Sequence, residues 1–324
     1  MQRKKNLQNR IAESRYSLPL AATLIVMIWV AVGLMAEDVV ALGLSFGLVV
    51  VSTYLMVLLN NFNSLMRTYS RMVSCSFLVL ITMAGLPVPG LAASIVTPCI
   101  IAFYLFLWQS YQDRFAAGTT FFAFFFLGLG SMAFAELLYL VPVMWVVMAS
   151  FTLSFSVRTL FASLIGVVAP YWFALAWYAS HGQIADLIGH FALLADVHPL
   201  TNYGQLTDHQ LVNLGFIGLL AVIGIVHFLH TSYADKIRTR LVYESFILVD
   251  AATAVLIGLQ PQYVREWGVV LIVTSSPLIA HVITYTRGKV PNIMFITALC
   301  LVAFILCYNL FVPEAQLFIG ADNQ

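Results

Sequence analysis

Eleven apolar stretches of membrane-crossing length follow one another along this chain, with most charges confined to the segments between them. They cover residues 17–36, 39–59, 72–86, 92–111, 116–133, 135–155, 161–179, 209–230, 242–260, 267–286 and 291–312. A helix rises about 1.5 Å per residue, so ~20 apolar residues match a hydrocarbon layer of about 30 Å. In lipid the backbone must satisfy its own hydrogen bonds, and long apolar runs do so as helices. Composition agrees: 61% of the 324 residues are hydrophobic and 9% charged, against about 25% charged in ordinary globular domains. A soluble domain of this size has no core large enough to hide that much apolar surface.

The basic residues orient the runs. Arg3, Lys4, Lys5, Arg10 and Arg15 precede the first run, Arg67 and Arg71 follow the second, Arg114 the fourth and Arg158 the sixth. Lys236, Arg238 and Arg240 follow the eighth, and Arg287 and Lys289 the tenth. With eleven alternating spans and a cytoplasmic N-terminus, all fall inside; of fifteen basic residues only Arg265 falls outside. The expected protein is therefore an all-α polytopic transmembrane helix bundle with a cytoplasmic N-terminus. It comprises a basic cytoplasmic segment (1–16), the bundle (17–312) and an outer tail (313–324). "MQRKKNLQNRIAESRYS" lacks a clear small-residue cleavage site downstream and reads as the flank of a retained anchor.

Some boundaries are soft. The third run is short and closes on "GLPVPG", and the fifth and sixth merge around "GLGSMAFAE". Trp108, Tyr111, Trp177, Tyr178 and Trp267 mark span ends as interfacial aromatics. Gly215, Gly218, Ala221 and Gly224 recur every three residues, a narrow face for helix contact. Cys75, Cys99, Cys300 and Cys307 have no metal-ligand spacing and read as small buried hydrophobes. No internal repeat stands out, which weighs against inverted-repeat carriers. Neither a nucleotide-binding motif nor a nucleic-acid partner is indicated, and no cofactor is implied.

Asp250 is the most demanding residue. It lies near the middle of "YESFILVDAATAVLIGL", where an ionised Asp costs roughly 2.5–3.5 kcal/mol on insertion scales. Its side chain should face the bundle, toward Ser275, Ser276 and His281 of the tenth run. Two readings stand: a proton or cation site shared with His281, or a protonated carboxyl hydrogen-bonded to a neighbour. Glu136, in "MAFAELLYLV", is either a buried acid facing an outer cavity or a span-end side chain reaching for water. Glu37 and Asp38 close the first run on the outer side; beside Arg265 they form a candidate catalytic set, adjacent acids as base and the cation near a phosphate. The bland alternative is a solvated span end.

Two polar segments complete the inventory. "LLNNFNSLMRTYSRM" places Asn60, Asn61, Asn63, Arg67 and Arg71 inside, either gripping a headgroup or partner or serving as a topology signal. Outside, residues 180–208 carry Ile184, Leu187, Ile188, Phe191 and Leu194 at helical spacing, an amphipathic helix for the interface. His181, His190, His198 and His209 share this stretch with Asp186, Asp196 and Asp208. Their spacings match no zinc pattern, and they read as interfacial histidines without a metal.

"NNFNSLMRTYSRMVSCSFLVL", "AASIVTPCIIAFYLFLWQSYQ", "FSVRTLFASLIGVVAPYWFALAWYA" and "SSPLIAHVITYTRGKVPNIMFITALC" occur in the order that resembles an uncharacterised family of polytopic inner-membrane proteins from Bacteroidota. The resemblance covers about Leu20 to Leu310 and implies an inner-membrane location, not a mechanism. In architecture the chain is also similar to polytopic glycosyltransferases that use polyprenyl-phosphate sugars, with Glu37 and Asp38 where their first-loop acid would stand. The first loop is far shorter here. Three functions are expected in this order: an accessory component of envelope biogenesis, working with other membrane proteins and the lipid bilayer; an enzyme acting on a lipid-linked glycan at the outer face; and a proton-coupled transporter using Asp250. An enzyme requires an outer groove lined by Glu37, Asp38, Glu136 and Arg265, and a carrier a central polar cavity reaching Asp250.

Overall fold

Every apolar run is helical in the computed structural model, which describes residues 6–36, 38–86, 90–192, 194 and 206–313. Thirteen α-helices and no β-strand form among the described residues. They are α1 (Leu7–Ala12), α2 (Ser17–Gly33), α3 (Val39–Asn63), α4 (Met72–Gly85), α5 (Leu91–Leu107), α6 (Ala117–Ser131), α7 (Leu140–Ser150), α8 (Val157–Ser180), α9 (Ile184–Ala192), α10 (Asp208–Thr231), α11 (Ile237–Leu259), α12 (Val264–Tyr285) and α13 (Lys289–Phe311). Seven of these (α3, α5, α8 and α10 to α13, some with a flanking 3-10 turn) are long and apolar enough to cross a membrane. The other apolar helices, α2, α4, α6 and the segment Ala135–Ser150, are shorter. The merged fifth and sixth runs part at Phe134, after which Ala135–Tyr139 forms a 3-10 turn leading into α7.

Helix ends gather at two poles. At one pole, Arg238 Nη2 donates to Asn63 Oδ1 (3.2 Å) and to the Trp108 carbonyl (3.0 Å). There too Gln112 N donates to the Thr152 carbonyl (2.7 Å) and Ser70 Oγ to the Ala12 carbonyl (2.9 Å). Helix α1 joins this pole: Gln8 Nε2 reaches the Ile283 carbonyl and Thr286 Oγ1, both at 2.7 Å, and Asn9 Nδ2 the Thr286 carbonyl. Arg67, Arg71, Arg238 and Arg287 thus share one end, as the charge pattern requires. At the opposite pole Asn309 Nδ2 donates to the Met83 carbonyl (2.8 Å) and Asn213 Oδ1 (3.1 Å). There Phe134 packs on Trp267 and Tyr263.

Between lipid-like surfaces the hydrophobic effect gives little drive for association, so close packing must hold the bundle together. Gly128 and Gly166 show how: a Cβ at Gly128 would stand 2.5 Å from the Val167 carbonyl oxygen, and one at Gly166 2.5 Å from that of Phe121. Helices α6 and α8 therefore meet backbone to backbone. The small-residue face of α10 is used at its lower half only. Gly224 lies against Leu278 of α12 and Ala221 is buried, but Gly215 and Gly218 face open space. Helix α12 is the hub, touching α4, α5, α10 and α11, with 83% of its most apolar stretch buried; α13 is peripheral, with 11%.

Two expectations fail on burial. Trp108 and Trp267 are fully buried, so they are packing residues and not interfacial anchors; Trp177, 64% exposed, keeps that role. Cys75 and Cys99 are buried as expected, whereas Cys300 and Cys307 are exposed on peripheral α13, and all four are free. The amphipathic helix of the 180–208 segment is present as α9, which presents Phe191 to Tyr171 of α8.

Candidate functional site

Helix α12 carries polar groups at three heights. Arg265 lies in its first turn, Thr274 nine residues on and His281 seven further, or about 13 Å and about 10 Å of helical rise. Each height meets a different set of neighbours.

At the middle height Asp250 of α11 is 3% exposed and faces the bundle. Its Oδ1 accepts a short hydrogen bond from Thr274 Oγ1. The expected partners are not engaged. Ser276 Oγ bonds back to the Ile272 carbonyl, Ser275 Oγ has no hydrogen-bond partner among the described residues, and His281 lies two turns away. Thr274 and His281 are seven residues apart and share a face, so the face was legible and the height was not. Asp250 Oδ2 and the Tyr104 hydroxyl, which interacts with Asp250 electrostatically, are both buried without a hydrogen-bond partner among the described residues.

At the basic pole His281 pairs with Asp235, a turn residue without a distinguishing sequence context. Asp235 Oδ2 lies 3.2 Å from His281 Nε2 and Oδ1 2.8 Å from Arg67 Nε, with the Asp235 and His281 side chains fully buried. The Tyr285 hydroxyl accepts from the Arg67 backbone N–H, and the guanidinium lies 4.4 Å from the Tyr285 ring centroid. Phe228, Tyr243, His227 and Tyr285 enclose the imidazole. Part of the polar loop between α3 and α4 is held in this internal network, with Asn60 bonded to the Ser70 carbonyl and Asn63 to Arg238, while Asn61, Arg67 and Arg71 also line an open pocket.

At the opposite pole a cavity opens between α4, α5, α10 and α12. Arg265, His209, Gln210, Asn213 and Asn309 line it above an apolar floor that includes Trp29, Val49 and Ile81. Of the acids expected there, Glu37 lies outside the described residues. Asp38 is the N-cap of α3, its Oδ1 accepting from Val40 N (3.1 Å) and Ala41 N (3.0 Å). Glu136 is 2% exposed in the 3-10 turn before α7 and interacts electrostatically with Glu266. Among the described residues neither Asp38 nor Glu136 lines the cavity, and neither Asp250 nor Thr274 reaches it. His209 of α10 and Asn309 of α13 complete the site from segments a hundred positions apart, a juxtaposition that no local sequence signal announces.

The outer histidines do not converge. His190 Nε2 meets the Ser131 carbonyl (3.0 Å), His181 Nδ1 the Trp177 carbonyl (2.9 Å), and His198 lies outside the described residues. Among the described residues no three His, Cys, Asp or Glu side chains are grouped to hold a metal ion.

Together, the apolar helices and the buried polar layers define a helical membrane protein whose central helix carries three separate polar stations. Compared with protein-family models, curated proteins and solved structures, the chain finds no match.

Proposed function

We propose that this chain is an eleven-pass inner-membrane protein, N-terminus cytoplasmic and C-terminus periplasmic, that serves cell-envelope biogenesis as a non-catalytic component. The eleven apolar helices and the gathering of the basic loops at one pole support the topology. One observation carries the functional reading. The cavity at the periplasmic pole presents Arg265 without Asp38 or Glu136 and stops short of Asp250. The outer-face enzyme reading needs one of those acids as base beside the cation, and a carrier needs polar access to its ion site. A binding component needs neither.

The test is recovery of the tagged chain from native membranes in mild detergent, with and without Glu37→Gln and Asp38→Asn together. The proposal expects stoichiometric partners from envelope assembly, and full complementation by the double variant. Loss of complementation with partners still bound would replace it with the outer-face enzyme acting on a lipid-linked glycan. A second reading, the proton-coupled transporter, is favoured by the unpartnered Oδ2 of buried Asp250 beside the Tyr104 hydroxyl. It predicts proton uptake in proteoliposomes that Asp250→Asn abolishes.

A further inference from the structure

The periplasmic-pole cavity encloses ≈ 90 Å³, room for a few water molecules or one tetrahedral oxyanion. Its polar wall is unusual in what it leaves unpaired. The Arg265 charge interacts with the adjacent Glu266, no side-chain hydrogen bond holds its guanidinium among the described residues, and its aliphatic stem rests against Gly90, where a Cβ would stand 2.9 Å from Arg265 Cδ. His209 is 4% exposed, yet neither ring nitrogen has a hydrogen-bond partner among the described residues; its Nε2 is 3.9 Å from Asp208 Oδ1. Asn309 binds Asn213 through Asn213 Oδ1, leaving the Asn213 amide nitrogen as a further donor.

The nearby acids stay outside the cavity lining: Asp208 accepts from the Tyr308 hydroxyl (2.6 Å) and from His209 N (2.9 Å), and Glu266 interacts electrostatically with Arg265 and with Glu136. A cation, a buried imidazole whose ring nitrogens have no hydrogen-bond partner among the described residues, and an amide over an apolar floor match a small anion, and the low dielectric strengthens each contact. We propose that this cavity binds a phosphate-type oxyanion through Arg265 and His209, with Asn213 as an additional donor. The group is supplied either free or as a lipid headgroup. The site holds whichever class of function the protein serves.

Thermal unfolding of the full chain in uncharged maltoside micelles tests this. One arm compares inorganic phosphate with chloride at matched ionic strength; the other compares dioctanoyl phosphatidic acid with dioctanoylglycerol. A ligand that binds only the folded state raises Tm. A rise with phosphate assigns a free anion, and a rise confined to phosphatidic acid assigns a headgroup; both support the site. Arg265→Gln should weaken apparent affinity roughly tenfold or more, as loss of a charge-assisted bond does. Arg158→Gln, exposed at the other pole, should leave it unchanged. Gly90→Ala displaces the Arg265 stem without removing its charge and should also weaken binding. If Arg265→Gln does not fold, Gly90→Ala decides alone. No rise in either arm, or an equal rise in folded Arg265→Gln or in Gly90→Ala, overturns the assignment.

Discussion

His281 Nε2 of α12 stands 3.2 Å from Oδ2 of Asp235 in the α10–α11 turn, although the two residues are 46 positions apart. Arg67 closes the other side of the same carboxylate at 2.8 Å. Three connections at the basic pole, the α3–α4 loop, the α10–α11 turn and the end of α12, are thereby held by one buried acid.

Removing that acid leaves two donors without their shared acceptor. Asp235→Ala should cost about 3–5 kcal/mol, the usual range for breaking a buried pair. Arg67→Ala should cost less, about 1–2 kcal/mol, because its side chain is 34% exposed and His281 still holds Asp235. Unfolding of both variants in detergent against a denaturing surfactant gives the order. Equal costs would show that Arg67, not Asp235, organises the pole.

Asp250 offers a finer discrimination. Asp250→Asn keeps the acceptor for Thr274 and should leave stability nearly unchanged. Asp250→Leu should cost roughly 1 kcal/mol, the low end for a lost buried hydrogen bond. The reason is that Thr274 Oγ1 already has the Val270 carbonyl at 2.9 Å as an alternative acceptor. A loss of several kcal/mol would mean that Asp250 holds more than Thr274.

The glycines separate packing from sequence pattern. Gly166→Ala must push α8 from α6, since the added carbon would meet the Phe121 carbonyl, a backbone atom that cannot turn aside. A loss of about 1–3 kcal/mol is expected, as for overpacking elsewhere. Gly218→Ala meets nothing within 4 Å and should be neutral or slightly stabilising. Equal effects would contradict the α6–α8 contact.

These contrasts show where the sequence was legible. The apolar runs announce the helices because lipid leaves few alternatives, and the bundle-facing side of Asp250 follows from charge cost alone. Partner identity was harder. Thr274 and not Ser275 or Ser276 meets Asp250 because neighbouring positions diverge by about 100° around a helix. Asp235 was unreadable because it sits in a turn, where an acid looks solvated until α12 packs over it. The stripe through Gly215 and Gly224 looked uniform, but only the part that crosses α12 is used.

Asp38 is a helix cap in the structure, and the cap makes its own prediction. Asp38→Asn retains an acceptor for Val40 N and Ala41 N and should be silent in complementation. Asp38→Ala should cost about 1 kcal/mol, the usual value of an N-cap. A catalytic base behaves otherwise: its isosteric replacement lowers the rate by about 10²–10⁴. Complementation and thermal unfolding of the two variants separate the roles.

The proposed eleven-pass topology, with the basic pole in the cytoplasm, is tested most directly by compartment-specific reporter fusions. Fusions after Lys5, Arg114 and Lys236 should report cytoplasm, and fusions after Ala195 and at Gln324 should report the periplasm. A cytoplasmic report at Gln324 with the N-terminal assignment unchanged would contradict it, because the number of crossings would then be even.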